Sequence, residues 1–132
     1  MPATLRRPLD PTTCREILAR QREGRLAYRT GRGRRAVPVH FNLGGDFIVF
    51  HAAAYNEIAQ YVPGEEVSLE LTHAPRHGRE GWEIRVVGVA EPLDADPDDL
   101  TDAAPEVWPQ GVSWFSLRIP VTDISGSELS AR

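Results

Sequence analysis

Short alternations of apolar and polar residues dominate this chain. Residues 66–72 show it most cleanly, with Val67, Leu69 and Leu71 on one face and Glu66, Ser68, Glu70 and Thr72 on the other. A period of two is the mark of a half-solvated antiparallel strand. The same reading predicts strands over residues 25–29, 36–42, 46–51, 82–91 and 114–121. In the second of these, Val37, Val39, Phe41 and Leu43 form one apolar face, whereas Phe47-Ile48-Val49-Phe50 is apolar on both faces and needs cover on both sides. Gly88 inside the long fifth strand predicts a bend or bulge.

Helical signals are fewer. Asp10-Pro11 supplies an N-cap side chain followed by proline at the first helical position. Cys14, Ile17, Leu18 and Gln21 then share one face, and Gly24 is the expected stop. Shorter helices are predicted over residues 55–62, ended by Pro63-Gly64, and from Asp96-Pro97 to Leu100. Turns fall at residues 30–34 and at Gly44-Gly45, a two-residue hairpin signal. Loops cover residues 73–80 and 104–111. Six short strands with tight turns and small helices predict a mainly β chain, a compact antiparallel barrel occupying residues 1–132 as one domain. Residues 1–8 read as a flexible arm and 127–132 as a flexible tail.

One residue interrupts this regular picture. Pro38 stands in the middle of a strand, where it removes a ladder donor. It belongs at an edge, at a bulge, or where something other than a neighbouring strand faces the backbone. The block from Arg25 to His51 is therefore the best pointer to function.

Composition narrows the setting. The 132 residues are 41% hydrophobic and 26% charged, as in ordinary soluble globular proteins. No apolar run approaches the roughly 20 residues of a membrane span, and the N-terminus lacks a signal-peptide core. A single cysteine, Cys14, suits a reducing cytoplasm. Residues 1–40 carry a net charge of +7 and residues 41–132 a net charge of −11, and every basic residue is arginine. Arginine suits bidentate phosphate contacts, but a compositional bias explains its use equally well. An overall charge of −4 with no binding motif argues against nucleic acid.

Candidate chemistry is sparse. Arg34-Arg35 offers a phosphate fork or a solvated hairpin arm. His40 could line a ring-binding face or donate a proton, and more often such a strand histidine simply bonds to a neighbour. His51 follows a wholly apolar strand. His73 and His77, four residues apart, lack the further ligands a zinc site needs. Cys14 reads as a small core residue. Trp82, Trp108 and Trp114 read as core or interface residues, and Trp82 also as a ligand contact.

Taken in order, Gly24-Arg25-Leu26-Ala27, Val37-Pro38-Val39-His40-Phe41, Phe47-Ile48-Val49-Phe50-His51, Gly81-Trp82 and Val87-Gly88-Val89-Ala90 resemble the pyridoxamine 5′-phosphate oxidase-like flavin-binding split barrels. The likeness covers roughly residues 9–126 and is greatest to the short branch that includes nitroimidazole-resistance proteins. It implies a six-stranded antiparallel split β-barrel of Greek-key type with short peripheral helices, dimerising around flavin mononucleotide (FMN). It also implies a cytoplasmic oxidoreductase that reduces a small electron-poor molecule with a nicotinamide coenzyme. The flavin ring would lie against the backbone of Val37, Pro38, Val39, His40 and Phe41. The phosphate would lie near Arg35 and the stretch Phe50, His51, Ala52 to Asn56, and Trp82 would lie near the flavin at the dimer interface. No catalytic acid or base is implied.

Two departures stand beside the match. Where relatives with firm FMN binding read Phe-Arg-Thr, this chain reads Phe50-His51-Ala52, and Glu57 stands where a lysine is expected. A carboxylate about 4 Å from a phosphate costs roughly 1 kcal/mol in water and about 4 kcal/mol at an effective dielectric of 20. If Glu57 points inward, FMN binding is weak or absent; if it points outward, His51, Asn56 and Arg35 could still hold a phosphate. The alternatives are a split barrel that has lost FMN and serves as a binding or regulatory module, or one that holds a deazaflavin coenzyme or haem through His40 or His51.

Overall fold

The computed structural model describes residues 4–53, 57–76, 79–93 and 114–131. Along them run β1 (Thr4–Pro8), α1 (Pro11–Ala19), β2 (Glu23–Thr30), β3 (Gly33–Gly44), β4 (Phe47–Ala53), α2 (Glu57–Tyr61), β5 (Glu66–His73), β6 (Gly81–Val89), β7 (Glu91–Leu93), β8 (Trp114–Pro120) and β9 (Asp123–Ala131). The strands form one antiparallel sheet in the order β1-β9-β6-β5-β2-β3-β4-β8-β7. Three hairpin-connected strands, β2, β3 and β4, are followed by β5, which returns to lie beside β2. That is a Greek key.

The sheet curls without closing. β6 and β8 are far apart in the strand order, yet a Cβ on Gly88 would lie 2.9 Å from Ile119 Cγ2 and 3.2 Å from the Pro120 carbonyl oxygen. Glycine permits this contact because nothing larger fits between the strands. Inside the curl, Leu26, Phe41, Ile48, Phe50, Leu69, Ile84, Val86, Leu117 and Ile119 are buried. They occupy the inward positions that the alternation marks.

Helix α1 starts as expected. The Asp10 side chain accepts a hydrogen bond from Thr13 N at 2.7 Å, with Pro11 in the first turn. Cys14 and Leu18 are fully buried, and burial pushes the Cys14 thiol pKa up. The helix lies over β9 at Gly126, where a Cβ would meet Cys14 Sγ at 2.9 Å. It ends earlier than expected, capped at Arg20: the Arg20 N–H donates to the Ile17 carbonyl at 3.1 Å and the Gln21 N–H to the Leu18 carbonyl at 3.0 Å. Gly24 is instead part of β2, where a Cβ would approach Leu69 Cδ1 to 3.0 Å.

Nine strands replace the expected six. The segments read as a free arm and tail form β1 and the end of β9, which pair from Thr4↔Ala131 to Pro8↔Ser127. β9 also pairs with β6 from Gly81↔Leu129 to Val87↔Asp123. Its sequence, Asp123-Ile124-Ser125-Gly126-Ser127-Glu128, is too polar to show an apolar face, so backbone pairing rather than side-chain pattern makes it a strand. The hairpin after β3 also sits one residue later than read. Gly44 still pairs with Phe47, and Gly45, with φ of 59°, takes the left-handed position of the turn. The helix expected at Asp96-Pro97 and the loop 104–111 lie outside the described residues.

Candidate functional site

Strand β3 changes partner partway along its length. It pairs with β2 from Gly33 to His40 and with β4 from Phe41 to Gly44. The Phe41 N–H donates to the Arg22 carbonyl at 2.9 Å. Antiparallel alternation therefore turns the backbone groups of Arg35, Val37 and Val39 toward β2, and those of Ala36, Pro38 and His40 away from it. Among the described residues no strand pairs with residues 36–40 on that second side, where β4 joins only from Phe41 onward. β4 runs on through His51 and Ala52, paired there with β8 alone. Along the split, residues 36–40 of β3 have no strand on the side away from β2, the Ala36 carbonyl accepts from Arg25 Nη2 at 3.0 Å, and Pro38 sits where no ladder donor is required.

The side chains around this opening divide by face. Val39, Phe41, Phe50 and Ala52 point into the core and are buried, and Val37 is half-buried against it. Only backbone from these residues is left to meet a ligand at the split. Pro38 and His40 are exposed on the outer face. His40 Nδ1 lies 3.6 Å from Glu23 Oε1, its cross-strand neighbour. His51 is buried, with Nδ1 in a 2.7 Å hydrogen bond to Ser116 Oγ. Asn56 and His77 lie outside the described residues.

Arg34 and Arg35 do not form a fork, because consecutive strand residues face opposite ways. Arg34 donates outward to Glu70 Oε1 at 2.9 Å and to Ser68 Oγ at 3.3 Å. Arg35 points inward with its cross-strand partner Tyr28. Both meet Glu57 at the start of α2: Tyr28 Oη donates to Glu57 Oε1 at 2.7 Å, and Arg35 Nε reaches the same oxygen at 3.0 Å. Glu57 therefore faces the site. Tyr28 is the member that sequence reading passed over, although its place beside inward-facing Leu26 marks it.

Tyr28 is only 2% exposed. Burial, reinforced by its hydrogen bond to the Glu57 carboxylate, pushes its hydroxyl pKa up to about 12. The folded state then favours neutral tyrosine. The resulting stability, about 2–3 kcal/mol at 1.36 kcal/mol per pKa unit, is complete below pH 10.0 and is lost as pH rises toward about 12. An alkaline spectrophotometric titration should show a late phase from Tyr28, and Tyr28→Phe should remove it. If the late phase persists in that variant, the buried hydrogen bond does not control the titration.

Trp82 lies on the far side of β2, stacked on His73 with ring centroids 5.8 Å apart and planes at 23°. The pair borders a cavity of about 350 Å³ that Gln21, Arg25, Leu71 and Pro38 also line. Trp82 and Pro38 thus border one cavity, whose lining includes none of Tyr28, Glu57 and Arg35. Among the described residues, no group of three or more histidine, cysteine or acidic side chains could hold a metal. No helix in the described residues is long and apolar enough to cross a membrane.

A Greek-key antiparallel barrel that opens where β3 leaves β4 is a split barrel. The chain belongs to the pyridoxamine 5′-phosphate oxidase family, whose sequence profile matches residues 10–132. Among solved structures it is similar to a FAD-binding protein from Mesorhizobium loti, with a TM-score of 0.74 and 20% identity over 97% of this chain and 99% of that one. A haem-binding protein from Mycobacterium smegmatis gives a TM-score of 0.73 and 19% identity over 95% of this chain and 59% of that one. A Bacteroides thetaiotaomicron protein, described as a 5-nitroimidazole antibiotic resistance protein, gives a TM-score of 0.72 and 12% identity over 99% and 90%. At these identities the likeness is one of fold. Among curated proteins none matches at a significant level.

Proposed function

We propose that this protein is a flavin-binding oxidoreductase whose ring site is the edge of β3 from Ala36 to His40 that no strand pairs. The observation that supports it most is the stretch of β3 around Pro38 that no strand pairs on one side, where the Ala36 carbonyl accepts from Arg25 Nη2 at 3.0 Å, in a member of this family. Backbone N–H and C=O groups on such an edge need partners, and the polar rim of an isoalloxazine ring carries both donors and acceptors. Similarity to a FAD-binding split barrel supports the same class of ligand. When bound, a flavin supplies hydride chemistry, and the protein's part is to bind, orient and shield it. The reading includes a small electron-poor substrate, a nicotinamide coenzyme as reductant and a homodimer.

The residues present suit the flavin ring better than the phosphate of FMN. The edge of β3 is open, but at its Arg35 end the guanidinium is already paired with the Glu57 carboxylate. No step is therefore assigned to the phosphate group. Titrating riboflavin, FMN and FAD into the purified protein should quench flavin fluorescence saturably with at least one of them. Adding NADH or NADPH to that complex should then bleach the flavin absorbance. Failure of all three flavins to bind overturns the proposal, and binding without bleaching removes the nicotinamide part alone.

A further inference from the structure

We propose that Glu57 sets the flavin selectivity of this site: its carboxylate fills the anion position at the Arg35 end, so the protein takes a flavin without recognising a terminal phosphate. This inference rests on the flavin reading above and concerns which flavin is preferred. Pro38 and Arg35 are three residues apart on one strand, about 10 Å at ~3.3 Å per residue. A ring seated at Pro38 would send an extended ribityl chain along β3 toward Arg35.

What waits there is a cradle already in use. Tyr28 Oη and Arg35 Nε converge on a single Glu57 oxygen, at 2.7 and 3.0 Å. Two donors aimed at one anionic oxygen are what a phosphate oxygen would otherwise accept from. Tyr28 is buried, and its hydroxyl needs an acceptor. Arg35 is 57% exposed in its side chain and Glu57 33%, so an arriving ligand can reach both. Ile58, next along α2, is 4% exposed and fixes the helix start against the core. Glu57 is therefore held in place and cannot leave cheaply. A phosphate monoester, with a charge of about −1.5 to −2 at neutral pH, would have to displace this carboxylate or lie beside it. Riboflavin, with no phosphate, meets neither obstacle.

Titration of riboflavin and FMN into the full-length protein, read by fluorescence quenching, tests this directly. The native protein should bind riboflavin at least as tightly as FMN. Glu57→Gln keeps an amide oxygen for Tyr28 and removes the charge. It should tighten FMN binding at least tenfold while changing riboflavin binding less than threefold, and adding Arg35→Gln should remove the gain. A native preference of tenfold or more for FMN overturns the proposal, as does an unchanged FMN-to-riboflavin ratio in Glu57→Gln. If that variant does not fold, Arg35→Gln alone decides: FMN affinity within threefold of native supports the proposal, and a tenfold loss overturns it. If neither riboflavin nor FMN binds any of these proteins, this inference falls, and the flavin reading falls with it when FAD also fails to bind. If riboflavin binds but the ratio does not respond to Glu57, only this inference falls.

Discussion

Phe41→Ala is expected to destabilise the protein by about 3–5 kcal/mol, the usual range for emptying a buried aromatic site. Phe41 is fully buried, faces Phe50 across the β3–β4 pair, and stands at the residue where β3 exchanges β2 for β4. Ile48, Leu26 and Leu117, buried in the same core, belong to a curled sheet whose members are fixed by their own ladders, so collapse around the void is limited. The position also belongs to the segment that sequence resemblance sets against the flavin ring. Because the side chain faces the core, the loss should appear as instability rather than as a removed ligand contact. Urea unfolding checks this: the midpoint should fall while the slope stays constant. His40→Ala, on the opposite and exposed face, should stay within about 0.5 kcal/mol of the native protein. A Phe41→Ala loss below about 1 kcal/mol would mean that the core at the split is not packed as described.

The contrast between positions 40 and 41 shows what the sequence made legible. Alternation fixes which residues of a strand face inward, so the faces of β3 and β5 could be read from residue order alone. Ser68 is an exception, since Arg34 reaches across to cover an outward-facing hydroxyl. The same period could have separated Arg34 from Arg35, yet two adjacent guanidiniums read more readily as a fork. β9 was invisible because its side chains carry too little apolar pattern, and it is made by backbone pairing to β6 and β1. Gly24 showed the opposite error. It has the chemistry of a helix stop, but its missing side chain serves the close approach of Leu69 and Leu71.

The candidate site was legible in outline and not in its contacts. Pro38 announced a backbone without a ladder partner, and the partner exchange of β3 accounts for it. Glu57 could be noticed only as a charge of unexpected sign. Its direction depends on Tyr28, 29 residues earlier in the chain. Contacts between a strand and a helix that far apart follow from the curl of the whole sheet, which no local period encodes.

Gly81→Ala should be the second large effect, a loss of about 3 kcal/mol, at the upper end of what overpacking usually costs. A Cβ at this position would lie 2.1 Å from the His73 carbonyl oxygen, 2.6 Å from Pro75 N and 2.7 Å from the Ala74 carbonyl carbon. All three are backbone atoms at the end of β5 and in the connection that follows it, so no side-chain rotation relieves the clash. Either that connection moves, or β6 shifts against β9, to which Gly81 is paired through Leu129. His73 and Trp82 flank the strained point, and their stacking depends on both strand ends staying in place. Near-ultraviolet circular dichroism should therefore change along with the unfolding midpoint. Gly44→Ala is the matched control: a Cβ there meets nothing within 4 Å and the backbone is not left-handed, so stability should change by less than about 0.5 kcal/mol. Equal stability of the two variants would show that the β5–β6 connection does not approach Gly81 closely. The cavity that Trp82 shares with Pro38 would then lose the wall described for it.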